Sequence, residues 1–173
     1  MNKKLQAGIC SVLFAFAAQA VMAADPADFV DEASAKGIAE IEAGKLALQK
    51  SQSADVKTFA QMMVDDHTKA NEQLKGIAQT KNIKVATDAE LMDKAKKLIL
   101  DIREDSFDRS YANNQVKAHE QTIELFKEEV KDGKDADVKK FAADTLPKLE
   151  AHLTQAKKLA AAHGGDAAND KTQ

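Results

Sequence analysis

The chain has 173 residues, with 25 Lys and Arg set against 28 Asp and Glu, and a formal charge of −3 in interspersed signs. That leaves no basic stripe or aromatic platform for nucleic acid. Charged residues make up 31% and aromatics 5%, with only seven glycines and two prolines, a balance that favours helices over sheet. A single cysteine, Cys10, excludes an intramolecular disulfide, so a metal would have to be held by His, Asp, Glu or Met.

Lys3 and Lys4, the apolar run LFAFAA and the small-residue exit at Val21-Met22-Ala23 predict a secretory signal peptide over residues 1–24. The apolar run is shorter than the roughly 20 residues of a membrane span and is soon followed by Asp25-Pro26. Ile9 stands where a lipoprotein leader would place a small residue before its cysteine. The expected product is exported to the periplasm or cell envelope, neither lipid-anchored nor membrane-spanning. Residues 25–160 are then expected to form one helical domain. The polar end of the chain, 161–173, is expected to be disordered.

Asp25-Pro26 reads as an N-cap followed by proline in the first helical position. Helix A is expected to run to about Gln49, with Val30, Gly37, Ile41 and Leu48 on one face, widened by Ile38 and Leu46. Helix B, from after Ser53 to near Thr80, carries Val56, Phe59, Ala60, Met63, Ala70, Leu74 and Ala78. Thr87-x-x-Glu90 is a capping box that opens a shorter connecting helix C, marked by Leu91, Ala95, Leu98 and Ile102. Helix D, from about Ser106, turns Ala112, Val116, Ile123, Phe126 and Val130 inward and stops at Gly133. Helix E, after Asp135, uses Val138, Ala142, Leu146, Leu149, Leu153, Ala156 and Ala160, with Pro147 expected to kink it.

The string ADVK-x-FA occurs twice, at Ala54 and at Ala136, so that Val56 and Val138 are 82 residues apart. The same offset carries the A-to-B turn onto the D-to-E turn. Two copies make a duplicated hairpin rather than a solenoid. The predicted fold is all-α: a four-helix bundle of two antiparallel helical hairpins with a short connecting helix in a long crossover.

On a helical wheel His67 lies within about 20° of Ala60, Val56 and Leu74 and so points into the core. His119 is as central among Ala112, Val116, Ile123 and Phe126, and His152 lies on the stripe of Leu149, Leu153 and Ala156. His163 falls in the expected tail. Leaving a buried imidazole unpaired costs about 1–3 kcal/mol, so three inward rings need a common explanation. In helix A, Glu40 or Glu42 can turn inward. Gly37 and Gly44 make room on the Glu40 side, while Glu42 stands between Ile38 and Leu46. Asp66 sits on the shoulder of the helix B stripe. A mixed His/carboxylate site for a divalent transition metal (Fe, Zn, Cu or Mn) meets the preferences of those ligands. The competing reading takes the histidines as structural links between helices. Met62 and Met63 read as core filler, and KEEVKDGKD as a solvated face.

The segments AEIEAGKLAL (39–48), VKTFAQMMVDDHTKANEQLK (56–75), FDRSYA (107–112), AHEQTIELF (118–126) and FAADTLPKLEAHL (141–153) resemble the DUF4142 family, exported proteins grouped with the ferritin-like superfamily. The resemblance implies a ferritin-like helical bundle in the envelope. By match to its pattern it marks Glu40, His67, His119 and His152 as metal-site candidates. A di-iron carboxylate site would need Glu-x-x-His on two helices, but Val64 and Leu149 stand three residues before His67 and His152. The expected function is therefore a stress-related envelope protein that binds a transition metal. The rival is a non-catalytic interaction or holdase-like module, with a protein partner or a second copy. An enzyme ranks last, since no nucleophile elbow, phosphate loop or metal-hydrolase motif is present.

Overall fold

Asp25 caps the first helix: its carboxylate accepts the Ala27 amide at 3.0 Å, Pro26 enters the first turn, and α1 spans Pro26–Lys50. The computed structural model describes residues 25–99, 102 and 106–164. The expected leader, 1–24, and the last nine residues of the expected tail lie outside the described residues. α2 spans Ala54–Lys81 and ends where Asn82 adopts the left-handed conformation (φ 54°), its amide turning back to Ala78 and Gln79. α3 spans Asp88–Leu98 behind a complete capping box between Thr87 and Glu90. α4 covers Phe107–Asp132, and α5 covers Ala136–Ala162 behind Asp135, which accepts the Asp137 and Val138 amides. No strand occurs among the described residues, and no helix among them is long and apolar enough to cross a membrane.

The fold is the expected all-α bundle, and side-chain pairs fix its directions. Lys157 meets Glu120 and Lys127 meets Glu150, so α4 and α5 are antiparallel. Lys81 meets Asp135 and Asp137 at one end of the α2–α5 contact and His163 meets Asp55 at the other, so those helices are antiparallel too. α1 and α2 form the first hairpin, and Ser53 Oγ, in its turn, donates to Asp108 at the start of α4. α3 is the crossover: Asp31 of α1 accepts the Ala86 amide just before it, and α3 then runs back beside α1.

Several local expectations change in the packed structure. Ile41 is only half-buried, and the buried face of α1 is made of Val30, Ala33, Gly37, Glu40, Ala43, Gly44 and Ala47. Small residues win there because α2 approaches closely: a Cβ on Gly44 would stand 2.9 Å from the Ala60 carbonyl oxygen. Leu98 is exposed and Ile102 lies beyond the end of α3, so only Leu91 and Ala95 anchor that helix. Pro147 lies inside α5, as expected, and the helix runs through it unbroken from Ala136 to Ala162. The charged run at the end of α4 is not wholly solvated: Glu129 follows Thr122 and Phe126 at helical spacing and is buried. Its side chain occupies the space a Cβ of Gly133 would need, so Gly133, at φ −58°, serves by lacking a side chain rather than by turning left-handed.

The core is split. At one end Phe29, Val30, Leu74, Phe126, Val138 and Phe141 pack together, with Phe29 and Phe126 edge-to-face at 5.1 Å. At the other end Ala47, Val56, Phe59, Met63, Tyr111 and Leu159 form a second apolar cluster. In all four long helices a buried polar residue falls between the two: Glu40 in α1, His67 in α2, His119 in α4 and His152 in α5.

Candidate metal centre

Helical phase alone places these four residues inward, because each sits at i±3, i±4 or i±7 from apolar residues of both clusters. Hairpin register then brings three of them to one level. The imidazole centroids of His67 and His119 are 5.6 Å apart, those of His67 and His152 5.6 Å, and those of His119 and His152 5.5 Å. One nitrogen from each ring lies within 4.8 Å of the other two. All three rings are buried.

The partners of the outer nitrogens set the tautomers. His119 Nδ1 lies 2.8 Å from the Gln115 carbonyl, which can only accept, so Nδ1 carries the proton and Nε2 keeps a lone pair. His152 Nε2 lies 3.1 Å from Asp66 Oδ2, so it donates and Nδ1 keeps the lone pair. His119 Nε2, His152 Nδ1 and His67 Nε2 are all buried without a protein partner. Asp66 is tied in turn to Lys148 Nζ at 3.0 Å. This is the carboxylate–histidine arrangement that orients a metal-binding imidazole.

Electrostatics disfavour a proton on two of the three rings. Burial, with His119 and His152 adding to it, holds His67 well below the ordinary imidazole value. Burial lowers His152 as well, with His119 in the same direction and Asp66 opposing. Burial pulls the Asp66 carboxyl upward, but Lys148 and His152 together outweigh it and hold the group below the usual carboxylate range. A neutral imidazole with a free lone pair needs no deprotonation before it can bind a cation.

Glu40, rather than Glu42, is the inward carboxylate; Glu42 pairs with Lys45 at 2.8 Å on the surface. Glu40 Oε2 is buried without a protein partner, yet Glu40 stands outside the three-imidazole set. Burial raises its carboxyl, against opposing pulls from His119, Gln115 and Lys36. Gln115 lies close enough to favour the charged form without completing a hydrogen bond. Tyr111, whose hydroxyl also lacks a partner, is raised by burial and by the Glu40 charge. Sequence reasoning missed Gln115 and Tyr111. Their spacing from His119, four and eight residues earlier in α4, was the available signal.

Asp66, expected only as a shoulder residue, reaches the site by way of His152. His163 is not part of a loose tail. It caps α5, and its Nε2 lies 3.0 Å from Asp55 Oδ2, because antiparallel packing brings the end of α5 to the start of α2.

A family profile described as "Domain of unknown function (DUF4142)" matches residues 13–159. No curated protein matches the chain. Among solved structures, CopM in the Cu(I)-bound form superposes over 78% of this chain and 94% of its own, at TM-score 0.62 and 16% identity. CopM in the Ag-bound form (by soaking) does so over 79% and 95%, at TM-score 0.62 and 18% identity. At such identities the likeness is one of fold.

Proposed function

We propose that this chain, which belongs to the DUF4142 family, is an exported envelope protein that carries one transition-metal ion on His67, His119 and His152. The observation that supports this reading most is three buried imidazoles that each offer one ligand nitrogen within 4.8 Å of the others, and that each carry a ring nitrogen without a protein partner. A purely structural role leaves that cost unexplained, since orphaned buried polar groups are rare in folded proteins. Bonds of about 2.0–2.1 Å to one ion bring three nitrogens to about 3.4 Å from each other, so small ring rotations complete the site.

Charge favours a soft monovalent ion such as Cu(I). Imidazole nitrogens are neutral donors, the Asp66 carboxylate behind His152 is already paired with Lys148, and burial disfavours the charged form of Glu40. With so little free negative charge at the rings, a single positive charge is less costly to bury there than a double one. That the similarly folded CopM was solved with Cu(I) and with Ag points the same way. The chain's own residues bind the ion through His67, His119 and His152. The Gln115 carbonyl and Asp66 orient two of the rings, and the apolar clusters above and below exclude water. A site so enclosed suits sequestration of the ion, and a part in an envelope stress response belongs to the same proposal.

Equilibrium titration of the untagged chain with Cu(I), Ag(I) and Zn(II), with elemental analysis of the product, tests the reading. One equivalent of Cu(I) or Ag(I) is expected, lost in His67→Leu and His119→Leu. Absence of stoichiometric uptake, or uptake undiminished in both variants, overturns it.

A further inference from the structure

An ion bound between two apolar clusters needs a way in. Two faces of the bundle approach the polar layer. Between α1, α3 and α4 a depression of about 150 Å³ reaches down to Glu40, but Lys36, Lys97 and Lys117 stand around it. The lining holds no carboxylate besides the buried Glu40, so an arriving cation finds no exposed acidic ligand on that face.

The α2–α5 face differs. An open groove along α2 is lined by Met62, Asp65 and Asp66, with Lys57 and Lys69 beside them. A cavity of about 30 Å³, room for one small ion or water, is lined by His67, His152, Lys148 and again Asp66. Asp66 is the residue common to the outer groove and the inner cavity. Its two oxygens divide accordingly: Oδ2 meets the buried His152 at 3.1 Å, and Oδ1 meets Lys148 at 3.0 Å. Lys148 is more than half exposed and free to swing away, whereas Asp66 is held at 19% exposure.

On the metal-binding reading above, we propose that Asp66 is the uptake ligand of the buried site and Lys148 its latch. A cation arriving in the groove displaces the Lys148 ammonium from Oδ1, since the two compete for one carboxylate. It then passes inward along Asp66 to the His152 and His67 nitrogens, and Lys148 closes behind it. The latch acts on rates in both directions, because the same ion pair is opened on the way in and on the way out.

Stopped-flow transfer of Cu(I) between a chromophoric chelator and the full chain measures loading and release separately. Lys148→Met is expected to raise both rates by about three- to fivefold, the worth of a partly exposed ion pair. Lys157→Met, which removes a lysine from the same helix away from the groove, is expected to leave both unchanged. Asp66→Asn slows loading. A Lys148→Met protein in which release alone or loading alone accelerates, or neither does, overturns the latch: those are the signatures of a structural prop, of simple charge repulsion and of no role. Equilibrium uptake by the wild-type chain is read independently. Normal uptake with unaltered rates in the Lys148 and Asp66 variants overturns the latch alone, and no uptake overturns the metal reading with it.

Discussion

Asp66 and Lys148 form an ion pair at 3.0 Å across the α2–α5 contact, and 82 positions separate them, the offset that carries Val56 onto Val138. A residue that touches its own counterpart marks the seam where two like hairpins meet. At that seam the copies have diverged: acid answers to base, and the neighbour of Asp66, His67, answers to Leu149. Both of these are buried. The first hairpin gives up an apolar core residue there for an imidazole that the fold alone does not need.

His67→Leu is therefore expected to stabilise the metal-free chain. It removes a desolvated ring whose Nε2 has no protein partner and installs the residue the second hairpin already uses. A gain of about 1–2 kcal/mol is expected, read as a higher urea midpoint at unchanged slope. Loss of stability in that variant is the contrary result.

Acid should weaken the metal-free protein before its carboxylates are titrated. His67 and His152 both bind a proton less readily folded than unfolded. Between their folded values and the ordinary value near 6.5, the unfolded chain holds more protons, so stability rises with pH in that window. The contribution is complete above about pH 7 and is lost as the pH falls below about 6.5, by about 1.4 kcal/mol per proton per unit at most. His119 from α4, Lys148 from α5 and Asp66 from α2 face the rings; the Lys148 ammonium and any proton on His119 reinforce the effect, and Asp66 opposes it. Urea midpoints from pH 5 to 8 measure the slope, which His67→Leu should flatten.

Glu40→Gln tests the inward carboxyl with the opposite sign. A folded value raised by burial gives stability that is present below the unfolded value and lost as the pH rises through the folded one. The glutamine variant is expected to be more stable than wild type by about 1 kcal/mol at pH 8, the difference closing toward pH 4. Urea midpoints of the two proteins at pH 4 and pH 8 measure the difference.

The two hairpin glycines of interest should respond in opposite directions. Alanine at Gly44 meets Val64 Cγ2 at 2.8 Å and the Ala60 carbonyl oxygen at 2.9 Å, and the latter is backbone that cannot swing aside. Gly44→Ala is expected to cost about 1–3 kcal/mol. Gly76 has open space around it, so Gly76→Ala should stabilise by up to about 1 kcal/mol through helix propensity. Thermal or urea unfolding of the two variants compares them directly.

Helix ends and inward faces were legible in the residues because their causes are local. Asp25, Asp135 and the Thr87–Glu90 box act within one turn, and His67, His119 and His152 declare their side by a 3.6-residue period. Ile41 was misplaced because hydrophobicity ranks it above alanine, while the distance between α1 and α2 rewards small side chains. Glu129 was misread because a run of charges hid its phase.

By itself the sequence determined five helices, a duplicated hairpin and one inward histidine on each of three helices, since periodicity and capping depend only on neighbours along the chain. Tertiary structure decided that the three rings share one level, which nitrogen of His119 and of His152 faces inward, that Glu40 stands outside the set and that Asp66 links groove to cavity. Those outcomes depend on the axial register and rotation of packed helices. Contacts such as Gly44 against Ala60 set these by steric fit between segments far apart in the chain.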